Sequence, residues 1–145
     1  MENPAPRLRR KNDLGPSGQR AGRNLQNLRE ERRFSQKDLA AAVERLGRPM
    51  IMQIVSKTEA GERRLDIDDL IAFAVALDTS PNRLLLTGSA AADQFIDLTP
   101  AVRISELDAW NWASGLEPLP AETGKEPGSA CRREKPGEVQ NPDIL

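Results

Sequence analysis

Ser35-Gln36-Lys37-Asp38-Leu39-Ala40, continuing through Gly47 to Val55-Ser56-Lys57-Thr58-Glu59-Ala60-Gly61, is the stretch that decides the fold. The Ser35 hydroxyl suits an N-cap, accepting an N–H from the opening turn, and Asp38 sets negative charge near that turn. Leu39, Val43 and Leu46 follow at helical spacing and make one apolar face. Gly47 stops this helix and Pro49 opens the next. The spacing thus predicts two helices around a turn, the second running from about Pro49 to Glu59 before Gly61 ends it.

Working outward, Leu25 and Leu28 mark a preceding helix from about Arg23 to Phe34, with Arg29, Arg32 and Arg33 on its remaining faces. Downstream, Asp66 caps a fourth helix with Asp68 and Asp69 in its first turn, and Ile67, Leu70, Ile71, Ala74 and Leu77 form its expected buried stripe. Ser80-Pro81 opens a fifth, and Leu84, Leu85 and Leu86 close the core. The expected fold class is all-α: a compact five-helix domain over 21–88, preceded by a disordered basic arm over 1–20. It is followed by a linker over 89–115 in which Thr99-Pro100 or Ser105 starts one short helix, and by a disordered tail over 116–145 rich in Pro and Gly.

Composition narrows the chemistry. The 145 residues include no histidine and no tyrosine, and the one cysteine is Cys131 in the polar tail. His-based acid/base pairs and His-bearing zinc sites are therefore excluded, and no intramolecular disulfide forms, which suits a cytoplasmic protein. Asp66, Asp68 and Asp69 lie at a helix start, where acidic residues are expected, so no metal is assigned to them. No glycine-rich phosphate loop follows a strand, and no apolar run approaches the roughly 20 residues of a membrane span. Neither an enzyme nor a cofactor is expected.

Charge is distributed unevenly. Residues 20–64 carry eleven Lys and Arg against six Asp and Glu, whereas 66–108 carry two against eight, within a net charge of -1. A basic half beside an acidic half suits a domain with one polyanion-facing side, or two ordinary solvated faces. Steps of 100° with Val55 inward bring Ile51, Thr58 and Glu59 near the core and turn Gln53 and Lys57 outward. Ser56 and Ile54 fall at the borders, and Met52 nearer the core.

These residues resemble the helix-turn-helix family of the phage repressors and Cro proteins, also called the xenobiotic-response-element family. The likeness covers residues 22–87. It rests on Leu25-x-x-Leu28-Arg29, Ser35-Gln36-x-x-Leu39-Ala40, Val55-Ser56-Lys57-x-Glu59-x-Gly61-Glu62-Arg63-Arg64, and the final helix pair. The segment Glu44–Pro49 is longer than the family's tight turn, and Thr58 stands where the family has a branched aliphatic. The resemblance implies a lambda-repressor-like, sequence-specific transcriptional regulator whose second motif helix enters the major groove of double-stranded DNA.

By position, the residues implied to meet DNA are Gln36, Met52, Gln53, Ile54, Ser56, Lys57, Arg63 and Arg64. Gln53 suits adenine, Lys57 guanine, and Met52 or Ile54 a thymine methyl. Gln36 is implied to touch phosphate, with local capping as its other reading; a solvated helix face is the other reading for Gln53 and Lys57, core packing that for Met52 and Ile54, and plain exposed charge that for Arg63 and Arg64. Arg29 and Glu59 are implied to form a structural ion pair. The family's dimeric habit leaves a homodimer open. An alternative function is a protein-interaction, adaptor or antitoxin-like module on the same scaffold, with Met50–Ile54 and the Trp110/Trp112 pair as contact surfaces, unless the tryptophans fold back on the core.

Overall fold

The computed structural model describes residues 13–120, which fall into two units divided between Thr87 and Gly88. The first unit holds five helices: α1 (Pro16–Glu31), α2 (Gln36–Arg45), α3 (Met52–Glu59), α4 (Ile67–Ala76) and α5 (Pro81–Leu85). Their common core is built from Leu25, Leu28, Leu39, Val43, Met50, Val55, Phe73, Leu77 and Leu84.

Helix α1 starts at Pro16, so residues 16–20, assigned above to a disordered arm, are helical. Pro16 is the first helical residue, after extended Gly15, where a proline ring fits and its missing N–H has no partner to lose. Residues 1–12 of that arm lie outside the described residues. The early start puts Arg20, Ala21 and Gly22 on the buried side. Gly22 lets α1 and α3 approach closely: a Cβ there would sit 2.5 Å from the Thr58 carbonyl oxygen. Gly22→Ala is therefore expected to lower stability by about 1–3 kcal/mol, the usual cost of overpacking. A urea titration reads this, and a variant as stable as the parent would contradict the close approach.

The Ser35 cap is complete. Its Oγ accepts from the Asp38 amide at 3.0 Å, while the Asp38 carboxylate accepts from the Ser35 amide at 2.9 Å and hydroxyl at 2.7 Å. Those bonds, the hydroxyl's first, hold the Asp38 carboxyl below its ordinary pKa. Asp66 and Ser80 cap α4 and α5 with one bond each, accepting from the Asp69 and Arg83 amides.

Several expected core positions are displaced. Leu46 is 49% exposed and Ile51 57%, because α2 ends at Arg45 and α3 begins only at Met52. Gly47, at φ +90°, redirects the chain, and Met50 fills the core position between the two helices at 4% exposure. On α4 the buried side is Asp69, Phe73 and Ala74, while Ile67, Ile71 and Val75 face outward. Ala74 and Leu77 are buried and Leu70 packs against the core as expected, but Ile67 and Ile71 are exposed and Asp69 lies inward, for an electrostatic reason given below.

The second unit corrects the all-α expectation and the helical reading of Thr99-Pro100. Strands β1 (Phe95–Thr99) and β2 (Val102–Ser105) pair antiparallel, with Ile96 opposite Ile104 and Asp97 opposite Arg103, and Thr99-Pro100 leads into the turn between them. Helix α6 (Glu106–Ala113) follows, capped by Ser105, whose Oγ accepts from the Asp108 amide at 3.1 Å. Ile96, Ile104 and Ala109 are buried, whereas Phe95, Trp112 and Leu116 are exposed. Trp110 is half-buried. The described residues are mostly helical, with one small sheet. Residues 121–145, including Cys131, lie outside the described residues.

Candidate nucleic-acid interface

Helix α3 has two contrasting sides. Val55, Thr58 and Glu59 are buried, Ile54 and Ser56 are half-buried, and Gln53 and Lys57 are exposed. Thr58 avoids an unsatisfied hydroxyl by donating to the Ile54 carbonyl at 2.7 Å. Ile54 packs against the core, while Met52, expected nearer the core, is 44% exposed.

Beneath α3 lies a charged junction. Arg29 of α1 donates to Glu59 through Nε at 2.6 Å and Nη2 at 3.0 Å, and through Nη1 to the Phe34 carbonyl at 2.7 Å. Gln36, the first residue of α2, donates its amide to Glu59 Oε2 at 2.8 Å. One carboxylate thus ties α1, α2 and α3 together. The hydrogen bond to Glu59 outweighs burial and raises the Arg29 pKa above its ordinary value. Gln36 is engaged on α3 in place of the local cap that was its second reading.

A second junction fixes the long connection between α2 and α3. Arg48 reaches α4, with Nε 2.6 Å from Asp69 Oδ1 and Nη2 2.7 Å from Asp66 Oδ2. Arg63 takes the other Asp69 oxygen at 2.6 Å. Asp69 is only 1% exposed; burial pushes its pKa up, and the bonds from Arg48 and Arg63 reverse this and hold it low. Two guanidiniums on one carboxylate explain why α4 turns Asp69 inward. Arg63 is therefore a brace of the scaffold, and Arg64 donates to the Asp13 carbonyl at 3.3 Å. Sequence reading singled out neither Arg48 nor the pairing of Asp69. Its one signal was an arginine placed just after a helix-stopping glycine, which fixes no partner.

Gln36, Met52, Gln53, Ile54, Ser56 and Lys57 thus all lie on α3 or on the start of α2, while Arg63 and Arg64 belong to the loop before α4. Among the described residues no cluster suited to a metal occurs, and no helix is long and apolar enough to cross a membrane.

No family model matches the chain. No curated protein matches either. One solved structure similar to it is that of the restriction-modification controller protein C.AhdI from Aeromonas hydrophila, 27% identical, with the match covering 46% of this chain and 92% of that one at a TM-score of 0.41.

Proposed function

We propose that this protein is a sequence-specific DNA-binding regulator of transcription in the cytoplasm, with α2 and α3 as a helix-turn-helix and α3 as the helix inserted into the major groove. The observation that carries this reading is the division of α3. Its inner side is clamped to α1 and α2 through Val55 and the Arg29–Glu59 pair, while Gln53 and Lys57 project on the outer side. A helix held so firmly, with polar side chains presented outward, can place donors and acceptors against base edges at fixed positions. Gln53 suits a bidentate bond to adenine, Lys57 the guanine acceptors, and Ser56 a shorter contact at the border.

Lys37 and the second amide hydrogen of Gln36 supply phosphate contacts beside the groove. Arg63 is left out of this set, since its charge is committed to Asp69. A homodimer would place two copies of α3 about 34–36 Å apart on a two-part site.

Selection of genomic fragments by the purified full chain tests the reading. A short motif is expected to be enriched, and Gln53→Ala combined with Lys57→Ala is expected to abolish the enrichment without changing the melting temperature, both side chains being exposed. Salt-sensitive retention with no motif would reject it. The exposed Phe95, Trp112 and Leu116 favour a second reading, in which residues 88–120 bind a protein partner.

A further inference from the structure

Two exposed side chains at the start of α3 serve neither the core nor the helix. Ile51 is the N-cap, a position that favours Ser, Thr, Asp or Asn, and it makes no capping hydrogen bond. It is 57% exposed, and Met52 beside it is 44% exposed. Stability gives no reason for two large aliphatic groups in water at this place. They adjoin Gln53, and the segment 33–57 around them is basic: Arg33, Lys37, Arg45 and Lys57 stand against Asp38 and Glu44, while Arg48 is committed to Asp66 and Asp69. The Asp38 carboxylate is moreover occupied by Ser35. An apolar pair within a basic segment complements a polyanion that presents an apolar group of its own. In the major groove that group is the methyl at pyrimidine C5.

We propose that Ile51 and Met52 are specificity residues that read C5-methyl groups, so that the recognised site carries thymine, or 5-methylcytosine, where these two side chains meet the duplex. The inference rests on the DNA-binding reading above; it carries the thymine-methyl contact already expected of Met52 to Ile51, a residue that the helical count had turned inward, and extends it to 5-methylcytosine. Branched Ile51 is stiff and fixes the position of the contact, while Met52 is flexible and fills the remaining gap.

The test uses the full chain and the duplex obtained by genomic selection, with each thymine replaced in turn by deoxyuridine, which removes only the methyl. One or two replacements are expected to weaken binding about four-fold each, the effect of losing one buried methylene-sized group. Where the motif tolerates cytosine, 5-methylation is expected to tighten binding by a similar factor; a uracil effect without this gain assigns the contact to thymine alone. Ile51→Ala with Met52→Ala should bind thymine and uracil duplexes equally, whereas Ile71→Ala, another exposed aliphatic, should keep the difference. Equal binding of the unaltered protein to both duplexes overturns the inference while a selected motif still stands, and leaves the patch to a protein partner. Failure to select any motif overturns the DNA-binding reading as well.

Discussion

Arg29→Ala should cost the first unit about 3–5 kcal/mol, the range for removing one partner of a buried ion pair. The loss comes mainly from what remains behind: Glu59, 4% exposed at its side chain, would be left buried with only Gln36 as its partner. Three helices meet at that carboxylate, so the effect should appear as cooperative unfolding, read by a lower urea midpoint and lower helical circular dichroism at 37 °C. Small domains have about 5–15 kcal/mol of stability in total, so a substantial unfolded population is expected. Glu59→Gln should act in the same direction, since it leaves the Arg29 guanidinium facing an amide. Gln36→Ala, which removes one hydrogen bond and no charge partner, should cost only about 1 kcal/mol. An Arg29→Met, Glu59→Leu double variant recovering most of the loss would show that the penalty lies in the unpaired charge. Unchanged midpoints for both Arg29→Ala and Glu59→Gln would refute the role given to this junction.

The second large effect is expected at Asp69. Asp69→Asn weakens two ion pairs at once, but Arg48 and Arg63 are each about one-third exposed and recover water, so about 3 kcal/mol, the low end of the buried-pair range, is the expected loss. The pH dependence distinguishes this from a packing defect. The folded-state pKa of Asp69 lies below its ordinary value, so its contribution is complete above the unfolded value, near about 4, and fades as pH falls through the lower folded value. The unaltered protein should therefore lose stability as it is acidified below about pH 4, and Asp69→Asn should show a flatter acid limb. Urea midpoints measured from neutral to strongly acid solution compare the two. Parallel limbs would mean that Asp69 does not carry the acid sensitivity.

How far the sequence could be read depended on the range of the interaction concerned. Leu25, Leu28, Leu39, Val43 and Val55 declare themselves through helical spacing, because burial on one side of a helix is a local pattern. Ser35, Asp66 and Ser80 mark helix starts for the same local reason. Gln53 and Lys57 meet water as 100° steps from Val55 require, whereas Met52, in the first turn of α3, does not follow that count. The misplaced residues answer to distant partners. Arg48 is drawn to α4 across roughly 20 positions, which sets the length of the connection and the late start of α3.

Helix ends were obscured where left-handed backbone is taken up by Arg33 (φ 58°) and Asp78 (φ 50°), residues that do not announce a stop as glycine does. The hairpin left a visible trace: Ile96-Asp97-Leu98 and Val102-Arg103-Ile104 alternate across Pro100-Ala101. Thr99-Pro100 carries the same cap-then-proline signature as Ser80-Pro81, and only one of the two begins a helix. What the outer side of α3 touches is a property of a second molecule, which no internal periodicity encodes.

Asn24 of α1 donates to the carbonyls of Leu84 and Leu86, and Arg20 to that of Leu85, spanning 60 to 65 residues of chain. During vectorial synthesis the first of the five helices of this unit is thus fastened by the fifth. Nascent chains arrested short of Leu86 lack the α5 carbonyls that hold Arg20 and Asn24, so this part of α1 is fastened late.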